Sequence, residues 1–202
     1  MRRRELLRLL AVGWAGGLAI SADPAAAHKE DSILGGRAGR QGVRLAAPDF
    51  TLTDQDGQPF SLRSWRGRAV VVTFGFTTCV DVCPLLAANL AVMQRELPPA
   101  ERTRTGFLLI TTDPEHDTPS VLREYGGRFG ADFLTWKFLA GTLEELWWVW
   151  KGFGVAVKKR GPGQVDHTTL TTLVDREGIR RLNYYGTRWR PHTALRDLRS
   201  FL

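Results

Sequence analysis

The sequence has few cysteines and no apolar run long enough to cross a bilayer comfortably. Only two of its 202 residues are cysteine, so a single pair carries all the thiol chemistry of the chain. The longest uncharged run, residues 9–22, has 14 residues, whereas about 20 helical residues span a membrane. No internal repeat follows Ala47, and the scattered arginines form no recognised nucleic-acid-binding motif although the formal net charge is +7. We therefore expect one domain of ordinary size and no nucleic-acid partner.

Residues 1–27 predict an export signal peptide. Arginines at positions 2–4 form a basic beginning, residues 9–22 form an apolar middle, and Ala25–Ala27 supplies small residues for a signal peptidase. The Arg3-Arg4 pair also gives a loose match to a twin-arginine signal. We expect an exported protein, periplasmic or otherwise extracytoplasmic, with an uncleaved N-terminal membrane anchor as the alternative.

The remaining chain divides into a lead-in and a folded domain. Residues 28–46 contain four glycines and no clear apolar period, which predicts a flexible lead-in. Residues 47–202 predict a hairpin, a β-α-β-α unit, a further helix and an antiparallel ββ-α tail. The predicted strands lie near 50–52, 60–62, 69–74, 107–110, 169–174 and 179–184, and the helices at 84–97, 118–128, from Thr142, and at 193–202. This order favours an α/β fold of the thioredoxin-like type, a central mixed β-sheet flanked by helices, with an N-terminal β-hairpin.

Several tryptophans are candidates for the core or for an interface. In the helix that begins at Thr142, helical spacing places Trp147 and Trp150 on one face, which predicts that both pack in the core. Trp148 points elsewhere and is the better interface candidate. The segment Arg188-Trp189-Arg190 could touch an acidic partner or a lipid surface, and the sequence leaves that choice open.

The two cysteines lie together between a predicted strand and a predicted helix. Cys79 and Cys83 can close a disulfide or bind a soft metal ion. The positive end of the helix dipole favours the thiolate form, whereas the charge of Asp81 opposes a second anion nearby. A structural disulfide closing so short a loop would stabilise little. Metal binding and redox exchange are the remaining interpretations.

His167 is the third candidate site residue. It comes just before the penultimate strand, and in thioredoxin-like folds the loop entering that strand faces the active-site cysteines. Two thiolates and an imidazole form a soft three-ligand site suited to Cu⁺, and the imidazole allows Cu²⁺ as well. Zn²⁺ accepts the same donors, but a structural zinc site takes a fourth protein ligand.

Three ordered stretches resemble the SCO/SenC family of copper-handling proteins. The first runs from FGFTTC at 74–79 through Cys83-Pro84, the second is TDPEHDTP at 112–119, and the third is DHT at 166–168. The resemblance implies a thioredoxin fold and a copper site formed here by Cys79, Cys83 and His167. It also implies a role in maturing the dinuclear CuA centre of cytochrome c oxidase. The chain departs from the family pattern at Val80, where the family usually has proline, and at His116, where Arg or Lys is typical.

Two main function hypotheses follow, beside a third in which the protein is a copper or redox sensor that acts by docking alone. The first is a metallochaperone that passes copper to the CuA site of cytochrome c oxidase subunit II, with other periplasmic copper carriers or thiol reductants as further partners. The alternative is a thiol-disulfide oxidoreductase in which Cys79 attacks and Cys83 resolves the mixed disulfide. His167 discriminates between them, because metal binding needs it and dithiol exchange does not. Asp113 and Asp117, after the strand at 107–110, are expected to serve in helix capping and loop hydrogen bonding, or to orient the site or face its partner.

Overall fold

A computed structural model describes residues 39–202. This part of the chain forms an eight-stranded mixed sheet in the order β1-β10-β9-β4-β5-β6-β2-β3 and a separate hairpin of β7 and β8. Strands β4, β5 and β6 run parallel, and the other neighbours in the large sheet are antiparallel. The strands are β1 Gly39–Ala46, β2 Thr51–Asp54, β3 Pro59–Ser61, β4 Ala69–Gly75, β5 Thr105–Thr111, β6 Trp136–Ala140, β7 Val157–Gly161, β8 Gln164–His167, β9 Leu170–Val174 and β10 Ile179–Tyr185. The helices are α1 Val82–Glu96, α2 Pro99–Arg102, α3 Pro119–Arg128, α4 Leu143–Phe153 and α5 Pro191–Arg199.

The central strands are buried on both faces because helices cover each side of the sheet. Every residue of β4 and β5 is buried, as their nearly continuous apolar sequences predict. One core cluster joins one face of these strands to α1, α3 and α5, and a second joins the other face to α4 and the β2–β3 hairpin. This architecture confirms the predicted thioredoxin-like fold with its central mixed sheet, flanking helices and N-terminal hairpin.

The first strand corrects part of the predicted lead-in. Residues 39–46, expected to be flexible, form β1 and pair antiparallel with β10 at the edge of the sheet. Most side chains of β1 are exposed, so the strand has little apolar pattern and is held by backbone pairing and by the Arg40–Asp197 ion pair. The predicted signal peptide and residues 28–38 lie outside the described residues.

Two further strand segments and one tryptophan differ from the sequence-based expectation. The pattern did not predict β6 or the β7–β8 hairpin, and β7 consists largely of exposed charged residues. Trp147, expected in the core, has 48% of its surface exposed, whereas Trp150 is buried. The buried face of α4 is centred on Leu146 and Trp150, and each helical residue advances about 100°, so position 147 turns away from it. Trp148 is exposed, as expected.

Candidate metal centre

The carboxyl end of β4 and the start of α1 position the two cysteines. Cys83 is the second residue of α1 and is 1% exposed, whereas Cys79 lies in the preceding loop and is partly exposed. Gly75, the last residue of β4, provides space for Cys83, because a Cβ atom at this glycine would lie 3.1 Å from the Cys83 sulfur. The two cysteines are not joined in a disulfide. The fold therefore presents one sulfur at the surface and holds the other inside.

The two sulfurs have opposite pKa shifts. A hydrogen bond from the Cys83 thiol lowers the pKa of Cys79 to about 5, with help from the backbone N–H groups of Cys83, Asp81 and Val82, although burial opposes this shift. The Cys83 N–H lies 3.5 Å from the Cys79 sulfur. The pKa of Cys83 is raised, because its proton is held by Cys79 and because the sulfur is buried. Cys79 is therefore the thiolate at neutral pH and Cys83 the thiol.

Asp81 affects the thiolate through its backbone as well as its charge. The sequence predicts that its carboxylate opposes an anion at the cysteines. Its side chain is exposed to solvent, which screens that charge, and its backbone N–H is one of the groups that lower the pKa of Cys79. The loop conformation thus stabilises the anion despite the acidic residue within it.

His167 ends β8 and faces the buried cysteine. Its Nε2 lies 3.8 Å from the Cys83 sulfur, and its Nδ1 lies 3.1 Å from the Thr168 carbonyl oxygen. A carbonyl only accepts, so Nδ1 carries the proton and the Nε2 lone pair is directed to the sulfur. Burial lowers the pKa of His167, which keeps the imidazole neutral at pH 7, the form that binds metal. The Phe76 ring packs nearly perpendicular to the imidazole, with 5.9 Å between the ring centroids.

Two pairwise contacts, both made by Cys83, connect the three predicted site residues. Cys79 contacts Cys83, and Cys83 contacts His167. Between residues 39 and 202, no three His, Cys, Asp or Glu side chains converge closely enough to hold one metal ion. A three-donor arrangement therefore requires the Cys79 side chain to move, and its place on a partly exposed loop leaves room for that movement.

Asp117 ties the cysteine loop to the end of β5. It is 1% exposed and accepts hydrogen bonds from the Thr77 backbone N–H at 3.2 Å and from the hydroxyls of Thr77 and Thr111. Burial raises the pKa of this carboxyl, and these hydrogen bonds partly offset the shift. Asp117 thus bonds to Thr77, which lies two residues before Cys79 in the same loop. Sequence reasoning placed Asp117 near the site but gave no means of identifying Thr77 as its partner.

Asp113 and His116 form a separate pair on the neighbouring loop. The buried Asp113 carboxylate lies 2.8 Å from Nδ1 of His116, whose side chain is 38% exposed. The Asp113 backbone N–H donates to the Thr111 hydroxyl. Asp113 therefore bonds within its own loop, one of the two roles expected from the sequence, and His116 faces solvent on one side.

Comparison with known proteins identifies the family. The SCO1/SenC pattern matches residues 38–202, which include every described residue. The chain belongs to the SCO1/SenC family. A relative in this family, the SCO1 protein homolog of Bacillus subtilis (strain 168), is 31% identical over 172 residues, covering 82% of this chain and 88% of the relative.

Solved structures of the family share this fold. The structure of a SCO1/SenC family lipoprotein from Bacillus anthracis is 31% identical with a TM-score of 0.72, covering 81% of this chain and 99% of that one. Bradyrhizobium japonicum ScoI with copper bound is 28% identical with a TM-score of 0.66, covering 78% and 99%. BsSco, described with a disulfide switch and as a member of the Sco family of cytochrome c oxidase assembly proteins, is 29% identical with a TM-score of 0.68, covering 79% and 95%.

Proposed function

We propose that this protein is a copper metallochaperone. Cys79, Cys83 and His167 bind one copper ion, as Cu⁺ and also as Cu²⁺, and the protein delivers it to the CuA site of cytochrome c oxidase subunit II during assembly. The observation that supports this most is the contact between the Cys83 sulfur and the unprotonated Nε2 of the neutral His167. A dithiol enzyme has no need of a metal-binding lone pair directed to its buried sulfur.

The chemistry of the three donors suits a transient cargo. Thiolate sulfur and imidazole nitrogen are donors that Cu⁺ prefers, and Cys79 is already deprotonated at neutral pH. Copper binding must displace the Cys83 proton, and that proton cannot reside on Nε2 of His167, because Nε2 is itself one of the three ligands. Cys79, on the partly exposed loop, is the ligand that an acceptor reaches first, so ligand exchange begins there.

The surroundings of the exposed sulfur suit a protein acceptor. Val80, which follows Cys79 directly, is 96% exposed, and Leu85, two residues after Cys83, is 52% exposed. Exposed apolar side chains beside an exchangeable ligand fit a docking surface. The copper-bound and oxidase-assembly relatives support copper as the cargo and the oxidase as its destination.

We place the working protein outside the cytoplasm. The predicted export signal and the lipoprotein relative support this location. Within residues 39–202, no helix is long and apolar enough to cross a membrane. Anchoring through the N-terminal segment is the alternative to cleavage of the signal.

The experiment that tests the proposal is a competitive Cu⁺ titration of the reduced protein under anaerobic conditions. We expect one tightly held ion, and at least tenfold weaker binding by His167→Ala, which corresponds to ~1.4 kcal/mol. His116→Ala is the matched control, because it removes a histidine that pairs with Asp113 outside the site. Equal affinity of the wild type and His167→Ala would contradict the proposed ligand set.

The second candidate function is reduction of the acceptor's cysteine pair. The opposite pKa shifts favour it, because an attacking thiolate beside a protonated resolving thiol is the arrangement that disulfide exchange needs. Cys79 attacks the acceptor disulfide and forms a mixed disulfide. The acceptor thiolate released in this step takes the proton of Cys83, and the Cys83 sulfur then attacks the Cys79 sulfur. This breaks the mixed disulfide, releases the reduced acceptor and leaves an intramolecular disulfide for a thiol reductant to reduce. His167→Ala should keep this activity while losing copper affinity.

A further inference from the structure

A basic pocket lies at the β1 edge of the large sheet, and neither cysteine lines it. It has a volume of about 420 Å³ and lies between the start of β1, the end of β10 and the start of α5. Its lining combines arginine with aromatic residues, and no acidic residue between positions 39 and 202 lines it. The arginines are Arg40, Arg188 and Arg190, and the aromatic residues are Tyr184, Tyr185 and Trp189.

Two of these arginines have no carboxylate partner among the described residues. Arg40 donates through its Nε to Asp197 at 2.7 Å, whereas neither Arg188 nor Arg190 takes part in an ion pair between residues 39 and 202. Both are exposed. The pocket therefore combines unneutralised positive charge with aromatic walls.

We propose that this pocket binds a phosphate group, and that its source is the headgroup of an anionic membrane lipid. The planar guanidinium group donates two parallel hydrogen bonds that match phosphate oxygens. Thr193 in the first turn of α5 also lines the pocket, where the helix dipole adds to the positive potential. Tyrosine and tryptophan beside arginine are the side chains that suit the interface between headgroups and acyl chains.

The position of the pocket in the chain favours a lipid over a free anion. Gly39, which begins the described chain, lines the pocket, and 38 residues precede it. Those residues include the uncharged run 9–22, the segment that stays in the membrane if the export signal is not cleaved. The chain from that run would then enter the domain beside the pocket.

The pocket lies at the same end of the sheet as the candidate metal centre. Gly39 pairs with Tyr185, Tyr185 pairs with Leu170 at the start of β9, and His167 comes three residues earlier. Neighbouring strands are ~4.8 Å apart, so β1 lies about 10 Å across the sheet from β9. Binding of the pocket to a bilayer would turn the cysteine end of the domain toward the membrane surface. The proposal does not depend on copper binding.

The test uses the full-length chain with ¹⁵N-labelled tryptophan indoles, held in phosphatidylcholine nanodiscs. The Trp189 signal, assigned with Trp189→Phe, reports on the pocket. Inorganic phosphate, titrated against chloride at equal ionic strength, should shift that signal saturably. Nanodiscs containing phosphatidylglycerol should shift it without added phosphate.

Two double variants give the comparison. Arg188→Gln with Arg190→Gln should weaken phosphate binding at least tenfold and abolish the effect of phosphatidylglycerol. Arg104→Gln with Arg176→Gln makes the same change in net charge at the opposite end of the sheet and should change neither result more than twofold. A Trp189 signal that responds to neither inorganic phosphate nor phosphatidylglycerol would contradict phosphate binding by this pocket. A response to inorganic phosphate without a response to phosphatidylglycerol would overturn the lipid as its source.

Discussion

The pKa of Cys79 gives a prediction that can be worked out in numbers. The perturbation is Cys83→Ala, which removes the thiol whose hydrogen bond is the main cause of the shift, with Cys79 in the unchanged chain as the reference. The pKa of Cys79 falls from the ordinary 9.0 to about 5. At pH 5 about half of Cys79 is therefore thiolate, compared with about one part in 10,000 of an ordinary thiol.

The lower pKa also makes the thiolate a weaker nucleophile, and the two effects must be compared. With a Brønsted slope of ~0.4–0.5, a difference of four pKa units lowers intrinsic reactivity by about 40–100-fold. The gain in the thiolate fraction at pH 5 is about 5,000-fold, so Cys79 should react about 50–125-fold faster than an ordinary thiol. At pH 7 the gain in the thiolate fraction is only about 100-fold, so Cys79 and an ordinary thiol should react at similar rates.

The assay is alkylation of the reduced protein by iodoacetamide from pH 4 to 10, with the modified peptide quantified by mass spectrometry. We expect the Cys79 rate to rise with a midpoint near pH 5, and the midpoint in Cys83→Ala to move upward toward 9.0. Glutathione in the same tubes supplies the ordinary thiol. A midpoint near 9 in the unchanged protein would refute the reasoning, because it would mean that the loop does not stabilise the thiolate.

Three further predictions concern residues around the site. Asp117→Ala leaves the buried Thr111 hydroxyl and the partly buried Thr77 hydroxyl without their acceptor, so it should lower the free energy of unfolding by about 1–3 kcal/mol in urea denaturation. It should also weaken copper binding without removing a ligand. Trp150→Ala should lower the free energy of unfolding by about 3–5 kcal/mol in the same assay, because Trp150 is buried and its indole N–H donates to a backbone carbonyl at 3.0 Å. Trp148→Ala, at an exposed position of the same helix, should lower it by less than about 1 kcal/mol. Equal losses of stability would show that the assigned faces of α4 are wrong. Gly75→Ala should weaken Cu⁺ binding, because the new methyl group would lie 3.1 Å from the Cys83 sulfur, which is buried and has little room to move. An unchanged Cu⁺ affinity would contradict the close packing of Gly75 against this sulfur.

The sequence was informative where one local pattern decides the structure. The continuous apolar runs of β4 and β5 predicted strands covered on both faces, and both are buried throughout. Thr142 predicted the start of α4, and it caps that helix together with Glu145. The family motifs pointed to Cys79, Cys83 and His167, whose role as copper ligands stays a prediction.

Other features depend on contacts between distant residues. β1 has almost no apolar pattern because its partner is the backbone of β10, more than 130 residues later. The apolar stripe of α4 is wider than the face that the sheet covers, so periodicity alone assigned Trp147 to the core. The bonds from Thr77 to Asp117 cross 40 residues of sequence, and no spacing rule identifies such a pair.

The most direct test of the central claim is X-ray absorption at the copper edge of the Cu⁺-loaded protein, measured beside His167→Ala. We predict two sulfur neighbours and one imidazole nitrogen in the unchanged protein, and loss of the imidazole signal with both sulfurs kept in the variant. An unchanged imidazole signal in the variant, or fewer than two sulfurs in the wild type, would contradict a site made of Cys79, Cys83 and His167.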